Sequence, residues 1–220
     1  MKLRGQRAAG IILAAGASNR MGKQKQLLIV HGRTLLGRII DEALKSNLNK
    51  VFLVLGHHAE EIRAALGKIL SHPKLEVIEN SLYKKGISTS IRAGLSKAEK
   101  DHDHVMILLA DMPHINAGLI NLLLQRFLES RLPLGAVSIK QKRSHPVIFN
   151  RKLYHELHQL NGDVGAKDLF LRYSGQVCLV EPEEFYDDRD IDTLKDYIRY
   201  QDSLKNNVRV KQDNRQSRSS

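Results

Sequence analysis

The chain has a single cysteine, Cys178, no tryptophan, and aromatic residues at only 5% of its 220 positions. One cysteine excludes an intramolecular disulfide framework and any cysteine-rich zinc site, and it suits a reducing compartment. So few aromatics leave little from which to build the stacking platforms of single-strand or RNA-binding modules. No apolar run approaches the roughly 20 residues that a membrane span needs, and the N-terminal one is too short for a secretory signal. These absences predict a soluble, cytoplasmic protein without a membrane partner. Positive charge, by contrast, is in excess: 35 Lys and Arg face 24 Asp and Glu, a formal net charge of +11. That balance raises the possibility of a nucleic-acid binder. Yet Lys2, Arg4 and Arg7 supply +3, and residues 201–220 supply another +3 through five basic residues set against Asp202 and Asp213. Nearly half of the excess therefore sits at the two ends, and nucleic acid is not the predicted partner.

Short, unalternated runs of Val, Ile and Leu recur at Ala8 to Leu13, Val51 to Leu55, Leu75 to Ile78, Val105 to Leu109, Ala136 to Ile139 and Val177 to Val180. Such runs suit strands buried on both faces. Between them, Leu35, Leu36, Ile39, Ile40, Ala43 and Leu44 fall on one helical stripe, and Ile62, Ala65, Leu66, Ile69 and Leu70 repeat it. Asn116 is placed to cap a third helix running to Ser130. Strands alternating with helices predict an α/β fold, a doubly wound and mostly parallel sheet with helices on both faces. No linker interrupts the pattern, so residues 8–200 read as one domain. Residues 201–220 carry too few apolar side chains to offset the entropy of ordering them and read as a basic, disordered tail.

The first strand runs into Leu13-Ala14-Ala15-Gly16-Ala17-Ser18-Asn19-Arg20-Met21-Gly22-Lys23-Gln24-Lys25. A loop of small residues at the carboxyl end of a strand lets backbone N–H groups approach an anion closely, and Arg20, Lys23 and Lys25 add charge suited to a polyphosphate. The spacing is that of neither the Mg-binding P-loop nor the G-x-G-x-x-G fingerprint. The fourth strand ends in Asp111-Met-Pro113 on the same sheet edge. A carboxylate there needs a partner, and a divalent cation over phosphates is a natural one; Asp-x-Pro also serves as an ordinary turn. Farther on, Asp190-Ile-Asp192 precedes the final helix, where acids commonly cap.

Taken whole, the first loop resembles the L-A-A-G-x-S-x-R-M-G-x-x-K-x-L-L signature of nucleotidyltransferases related to molybdenum cofactor cytidylyltransferase, with every fixed position filled. The resemblance covers about residues 8–200 and implies a nucleotide-diphospho-sugar transferase-like Rossmann variant. It implies that Leu13, Ala14, Ala15, Gly16, Ser18, Arg20 and Lys25 contact the nucleotide, with Arg20, Lys25 and Asp111 as the catalytic set. Asp111 would hold Mg2+ together with Asp190 or Asp192, between which the sequence does not choose. The segment Asn80 to Leu95 resembles the stretch lining the nucleobase in that family, which adds Ser88, Ser90 and Gly94; Gly56, after the second strand, lies at the same edge. Ser88 and Thr89 equally suit simple helix caps. His57 and His58 read as loop residues. His145-Pro-Val-Ile-Phe149 and Gly162-Asp163-Val-Gly165-Ala-Lys167 resemble motifs of the cofactor-cytidylyltransferase branch, and imply that His145, Asp163, Gly165 and Lys167 face a pterin phosphate acceptor. Two departures stand out: Lys167 replaces the usual Arg, losing the bidentate fork suited to phosphate, and Ser144 replaces a glycine.

The activity so implied is Mg2+-dependent transfer of CMP from CTP, or another NTP, to molybdopterin with release of pyrophosphate, a molybdoenzyme being the final recipient. Alternatives are a guanylyltransferase, a cytidylyl- or uridylyltransferase for a sugar or polyol phosphate, and a non-catalytic cofactor-binding accessory protein. Asp101-His-Asp-His104 reads as a solvated turn at the opposite edge, and Cys178 as structural.

Overall fold

A computed structural model of the chain describes residues 5–16, 24–30, 32–182, 186, 189–191, 193 and 195–202. Its strands are β1 (Ala8–Ala14), β2 (Ile29–Val30), β3 (Arg33–Thr34), β4 (Lys50–Leu55), β5 (Leu75–Glu79), β6 (His104–Leu109), β7 (Leu134–Ile139), β8 (Lys142–Asn150) and β9 (Val177–Val180). The helices are α1 (Leu35–Lys45), α2 (Ala59–Leu66), α3 (Ile87–Ala98), α4 (Ala117–Ser130), α5 (Tyr154–His158) and α6 (Lys167–Arg172). Residues 195–202 are also helical.

Seven strands form one sheet in the order β5-β4-β1-β6-β8-β7-β9, and β2 pairs with β3 separately. β5, β4, β1 and β6 run parallel, as do β7 and β9, whereas β8 is antiparallel to both of its neighbours. The sheet is thus mostly parallel. β8 contains the His145–Pro146 bond, which is cis.

Alternation along β1 shows how the two faces are filled. Ala8, Ile12 and Ala14 join one apolar cluster with Leu36, Ile39 and Ile40 of α1, Ile62 of α2 and Leu123 and Phe127 of α4. Ala9, Ile11 and Leu13 point the other way, to Ile91 and Leu95 of α3, Leu157 of α5 and Leu169 and Phe170 of α6. Both faces of the strand are therefore dry, which is why it reads as a continuous apolar run. Asn116 caps α4 as expected, its Oδ1 accepting from Leu119 N at 2.9 Å, and Thr34 caps α1, its Oγ1 accepting from Gly37 N at 2.9 Å. Because parallel strands all end on the same edge, β4, β1 and β6 deliver Gly56, Ala15 and Asp111 side by side.

One expectation fails at the far edge. His102 and His104 are buried, 3% and 2% exposed, rather than solvated. His102 Nδ1 meets the Ala98 carbonyl at 3.0 Å, and His104 Nε2 meets Gln6 Oε1 at 3.2 Å. Among the described residues, no group of three His, Cys, Asp or Glu side chains is placed to hold a metal ion.

Candidate active site

A cleft of about 800 Å3 opens at the carboxyl ends of β4, β1 and β6. Its lining includes Leu13, Ala14, Ala15, Gly16 and Lys25 from the first loop, Asp111 after β6, Ser90 of α3, and Asp163. Of the residues singled out from sequence, these eight are brought together. Ser18, Arg20 and Asp192 lie outside the described residues.

Across the floor, Lys25 Nζ lies 2.7 Å from Asp111 Oδ2, with both side chains partly buried at 19% and 23% exposed. Lys25 begins a short 3-10 turn, Lys25–Leu27, in which Leu27 N donates to Gln24 O at 3.0 Å. The adjacent Gln26 is buried, and its Nε2 donates to the Gly16 carbonyl at 3.1 Å, tying the two sides of the loop together. Gln24 Nε2 in turn donates to Glu61 Oε2 of α2 at 2.6 Å.

Asp111 has a second anchor. Its carbonyl accepts from Ile191 N at 3.0 Å, and Asp190, which precedes Ile191, is exposed. These groups fit a divalent cation. The donors are hard oxygens, a lysine ammonium already sits against the carboxylate, and Mg2+-like ions are commonly held by one or two carboxylates together with substrate phosphates.

β8 closes the side beyond Asp111. Burial, aided by the Arg143 guanidinium, pushes His145 down to about 4 against the opposing pull of Asp111 and of the Ile107 carbonyl. Its Nδ1 is buried without a partner among the described residues. Tyr186 Oη donates to the His145 carbonyl at 3.0 Å. Arg143 lies over the Phe170 ring, 4.2 Å from its centroid, and desolvation lowers its own pKa.

The Asp163 loop meets the start of α3. Asp163 Oδ1 accepts from Ile87 N at 3.0 Å and the Gly162 carbonyl from Ser88 N at 3.1 Å, so this loop satisfies two of the free N–H groups of the helix. Gly165 adopts φ +60° beside Ile87, and Lys167 is exposed at the first turn of α6. Ser88 is buried and its Oγ has no partner among the described residues. Gly94 does not line the cleft. A Cβ there would meet Ile11 Cγ2 at 2.4 Å, so its place is at the α3–β1 packing contact. Gly56 also stands behind the lining, and lets two neighbours approach: a Cβ would lie 2.7 Å from Tyr83 Cβ and 2.9 Å from Ala15 Cβ.

Among the cleft residues not foreseen are Gln26, His57, Tyr83 and Lys84. For His57 a signal existed, since it directly follows a strand on the ligand-binding edge. For Tyr83 and Lys84 the signal was weaker, their stretch being matched through its hydroxyl and glycine positions.

Residues 10–177 match the family described as the MobA-like NTP transferase domain. Over 197 residues the chain is 26% identical to nicotine blue oxidoreductase of Paenarthrobacter nicotinovorans, covering 86% of this chain and 94% of that one. Purine catabolism protein PucB of Bacillus subtilis is 29% identical over 197 residues, 86% of this chain and 93% of its own. Among solved structures, Rv0371c of Mycobacterium tuberculosis superposes with a TM-score of 0.76 at 26% identity, over 90% of this chain and 98% of that one. A further structure of Rv0371c, TM-score 0.71 at 25% identity, is a complex with manganese and covers 90% of this chain and 100% of its own. The match spans the strands and loops that build the cleft, and the chain belongs to the MobA-like NTP transferase family and is a nucleotidyltransferase.

Proposed function

We propose that the protein is a Mg2+-dependent cytidylyltransferase that transfers CMP from CTP to the phosphate of molybdopterin. One observation carries this reading: the facing Lys25–Asp111 pair at 2.7 Å, set at the carboxyl ends of parallel strands in a cleft of nucleotide size. A lysine and a carboxylate in contact at an open cleft are poised to separate, the ammonium toward phosphate oxygens and the carboxylate toward a metal ion. Mg2+, bound through Asp111 and Asp190 or Asp192, would neutralise charge building on the triphosphate.

In this reading a phosphate oxygen of the acceptor forms a new bond to the α-phosphorus, and the bond from that phosphorus to the bridging oxygen breaks. Pyrophosphate leaves with the electron pair. The acceptor phosphate needs no general base, so the task of the chain is to orient the groups and offset their charge. Lys25 and Arg20 hold the triphosphate, the Ala14–Gly16 backbone approaches it closely, and Ser90 borders the base, with Gly56 behind it. His145, Asp163, Gly165 and Lys167 border the acceptor, the loop that carries Asp163 being tied to α3. The product would pass to a molybdoenzyme, in the cytoplasm. No helix among the described residues is long and apolar enough to cross a membrane.

The test is pyrophosphate release from CTP, GTP, ATP and UTP in Mg2+, with and without molybdopterin. The expected result is release with CTP that depends on molybdopterin. Release with another NTP or a sugar phosphate would move the assignment within the family. Tight cofactor binding with no release would favour an accessory role. One sequence relative carries an oxidoreductase name, so a redox assay belongs beside these.

A further inference from the structure

The wall of the cleft at the end of β4 is aromatic, in a chain with few aromatic residues. His57 and Tyr83 both line the cleft, His57 Nδ1 is 3.0 Å from Tyr83 Oη, and the two rings lie 5.6 Å apart at an interplanar angle of 38°. Their meeting is prepared on both sides. Gly56 has no Cβ, which is what allows Tyr83 Cβ and Ala15 to close on the same spot. His57 N donates to the Ala15 carbonyl at 3.3 Å, fixing the ring beside the glycine loop. Tyr83 belongs to a short turn held by the buried Asn80, whose Oδ1 accepts from Leu82 N at 3.0 Å and whose Nδ2 donates to Thr89 Oγ1 and Ser90 Oγ at 2.8 and 3.0 Å. Ser90, also in the lining, thus uses its oxygen as an acceptor, leaving its hydroxyl proton to donate.

The layout along the sheet edge gives this wall a place in the reaction. Lys25 and Asp111 mark the phosphate position at the end of β6. β4 lies two strands away, about 10 Å, with β1 between them. A nucleotide laid across the edge with its phosphates at Asp111 therefore brings its base toward β4, and Arg143 and His145 of β8 lie on the opposite side of the phosphates.

We propose that His57 is a specificity-determining residue for the nucleobase and that Tyr83 positions it. With Tyr83 Oη donating to Nδ1, His57 offers Nε2–H to an acceptor on the edge of the base, a pyrimidine carbonyl or ring nitrogen, and Ser90 offers a second donor. The Tyr83 ring packs beside them. This inference rests on the nucleotidyltransferase reading of the cleft and adds to it the group that selects the base.

The experiment measures equilibrium Kd and KM for CTP, UTP, ATP and GTP on the full chain, for wild type, His57→Ala, His57→Gln and Tyr83→Phe, with folding checked by circular dichroism. Losing one oriented donor reduces the ratio between the preferred and the other nucleotides about tenfold in His57→Ala. Tyr83→Phe, which keeps the ring, shifts the ratio in the same direction by a smaller factor. His57→Gln, which keeps a donor, recovers part of it. The change appears in Kd and KM more than in kcat. A folded His57→Ala with the wild-type ratio, or a wild type indifferent to the base, overturns the proposal while leaving the transferase reading intact. Failure of the wild type to bind any of the four overturns both.

Discussion

Gly86 is the position where a single methyl group should do most to the acceptor side of the cleft. Its backbone sits at φ 106° and ψ 167°, a region open in practice only to glycine, and forcing another residue there costs about 1–3 kcal/mol. A Cβ would also stand 2.3 Å from the Gly162 carbonyl carbon and 2.4 Å from its oxygen. Backbone cannot yield as a flexible side chain does, so the Gly162 loop must move by more than an ångström to restore ordinary contact. That motion removes the bonds from Ser88 N at 3.1 Å and Ile87 N at 3.0 Å. Each is worth about 0.5–1.5 kcal/mol, toward the upper end for the buried Ser88. Gly86→Ala should therefore lose about 2–6 kcal/mol, a fall in Tm of about 4–24 °C for a domain of this size. Gly162→Ala is the matched control: φ is +61° but nothing lies within 4 Å of its Cβ position, so its cost is about 1–2 kcal/mol from backbone alone. Thermal melts followed by circular dichroism, with hydrogen exchange read over residues 160–166, make the comparison. A Gly86→Ala melt within 2 °C of wild type, or a Gly162→Ala penalty as large as that of Gly86→Ala, would refute the reasoning.

Burial lowers the pKa of His102 and His104 below the ordinary histidine value, and each has one ring nitrogen with no partner among the described residues. The unfolded chain then binds more protons, so stability is intact above about pH 6.5 and falls as the pH drops below it, by up to about 1.4 kcal/mol per pH unit for each histidine. Urea melts between pH 7.5 and 5 should show the fall, and His104→Phe should flatten it; equal slopes in both proteins would count against this cause. Gly94→Ala adds about 1 kcal/mol of helix propensity but drives a methyl into Ile11, an overpacking cost of about 1–3 kcal/mol, so it should destabilise. Pairing it with Ile11→Val should recover part of the loss, and strict additivity in that double-mutant cycle would contradict the contact. Lys25→Met should weaken NTP binding about 10- to 100-fold in titration calorimetry by removing a charge-assisted phosphate bond; unchanged affinity would show that Lys25 does not reach the phosphates.

Much of this architecture was legible because parallel strands buried on both faces leave an unmistakable mark. β1, β4 and β6 read as apolar runs, and the glycine loop and Asp111 followed from where those runs end. β8 did not, since Lys142, Arg143 and Pro146 interrupt its pattern, and an antiparallel strand inside a parallel sheet carries no periodicity of its own. His102 and His104 misled for a related reason. Polar residues beside Asp101 and Asp103 look solvated, but His102 packs edge-on against Phe52 and His104 against Phe127. His57 and Tyr83 are 26 residues apart and meet only because the α2 crossover pairs β5 with β4, so that the residues following both strands share one edge, a contact no local pattern encodes. Gly94 looked like a ligand contact within its motif, yet its small size answers to Ile11.

The central claim is that Asp111 serves the transfer of a nucleotide in this cleft. Pyrophosphate release from CTP with molybdopterin, followed over a range of Mg2+ concentrations for wild type and Asp111→Asn, tests it most directly. The isosteric amide keeps the shape of the side chain but removes the charge facing Lys25. The account predicts at least about a hundredfold lower rate in Asp111→Asn, with a higher Mg2+ requirement. A folded Asp111→Asn releasing pyrophosphate at the wild-type rate across that range would contradict it.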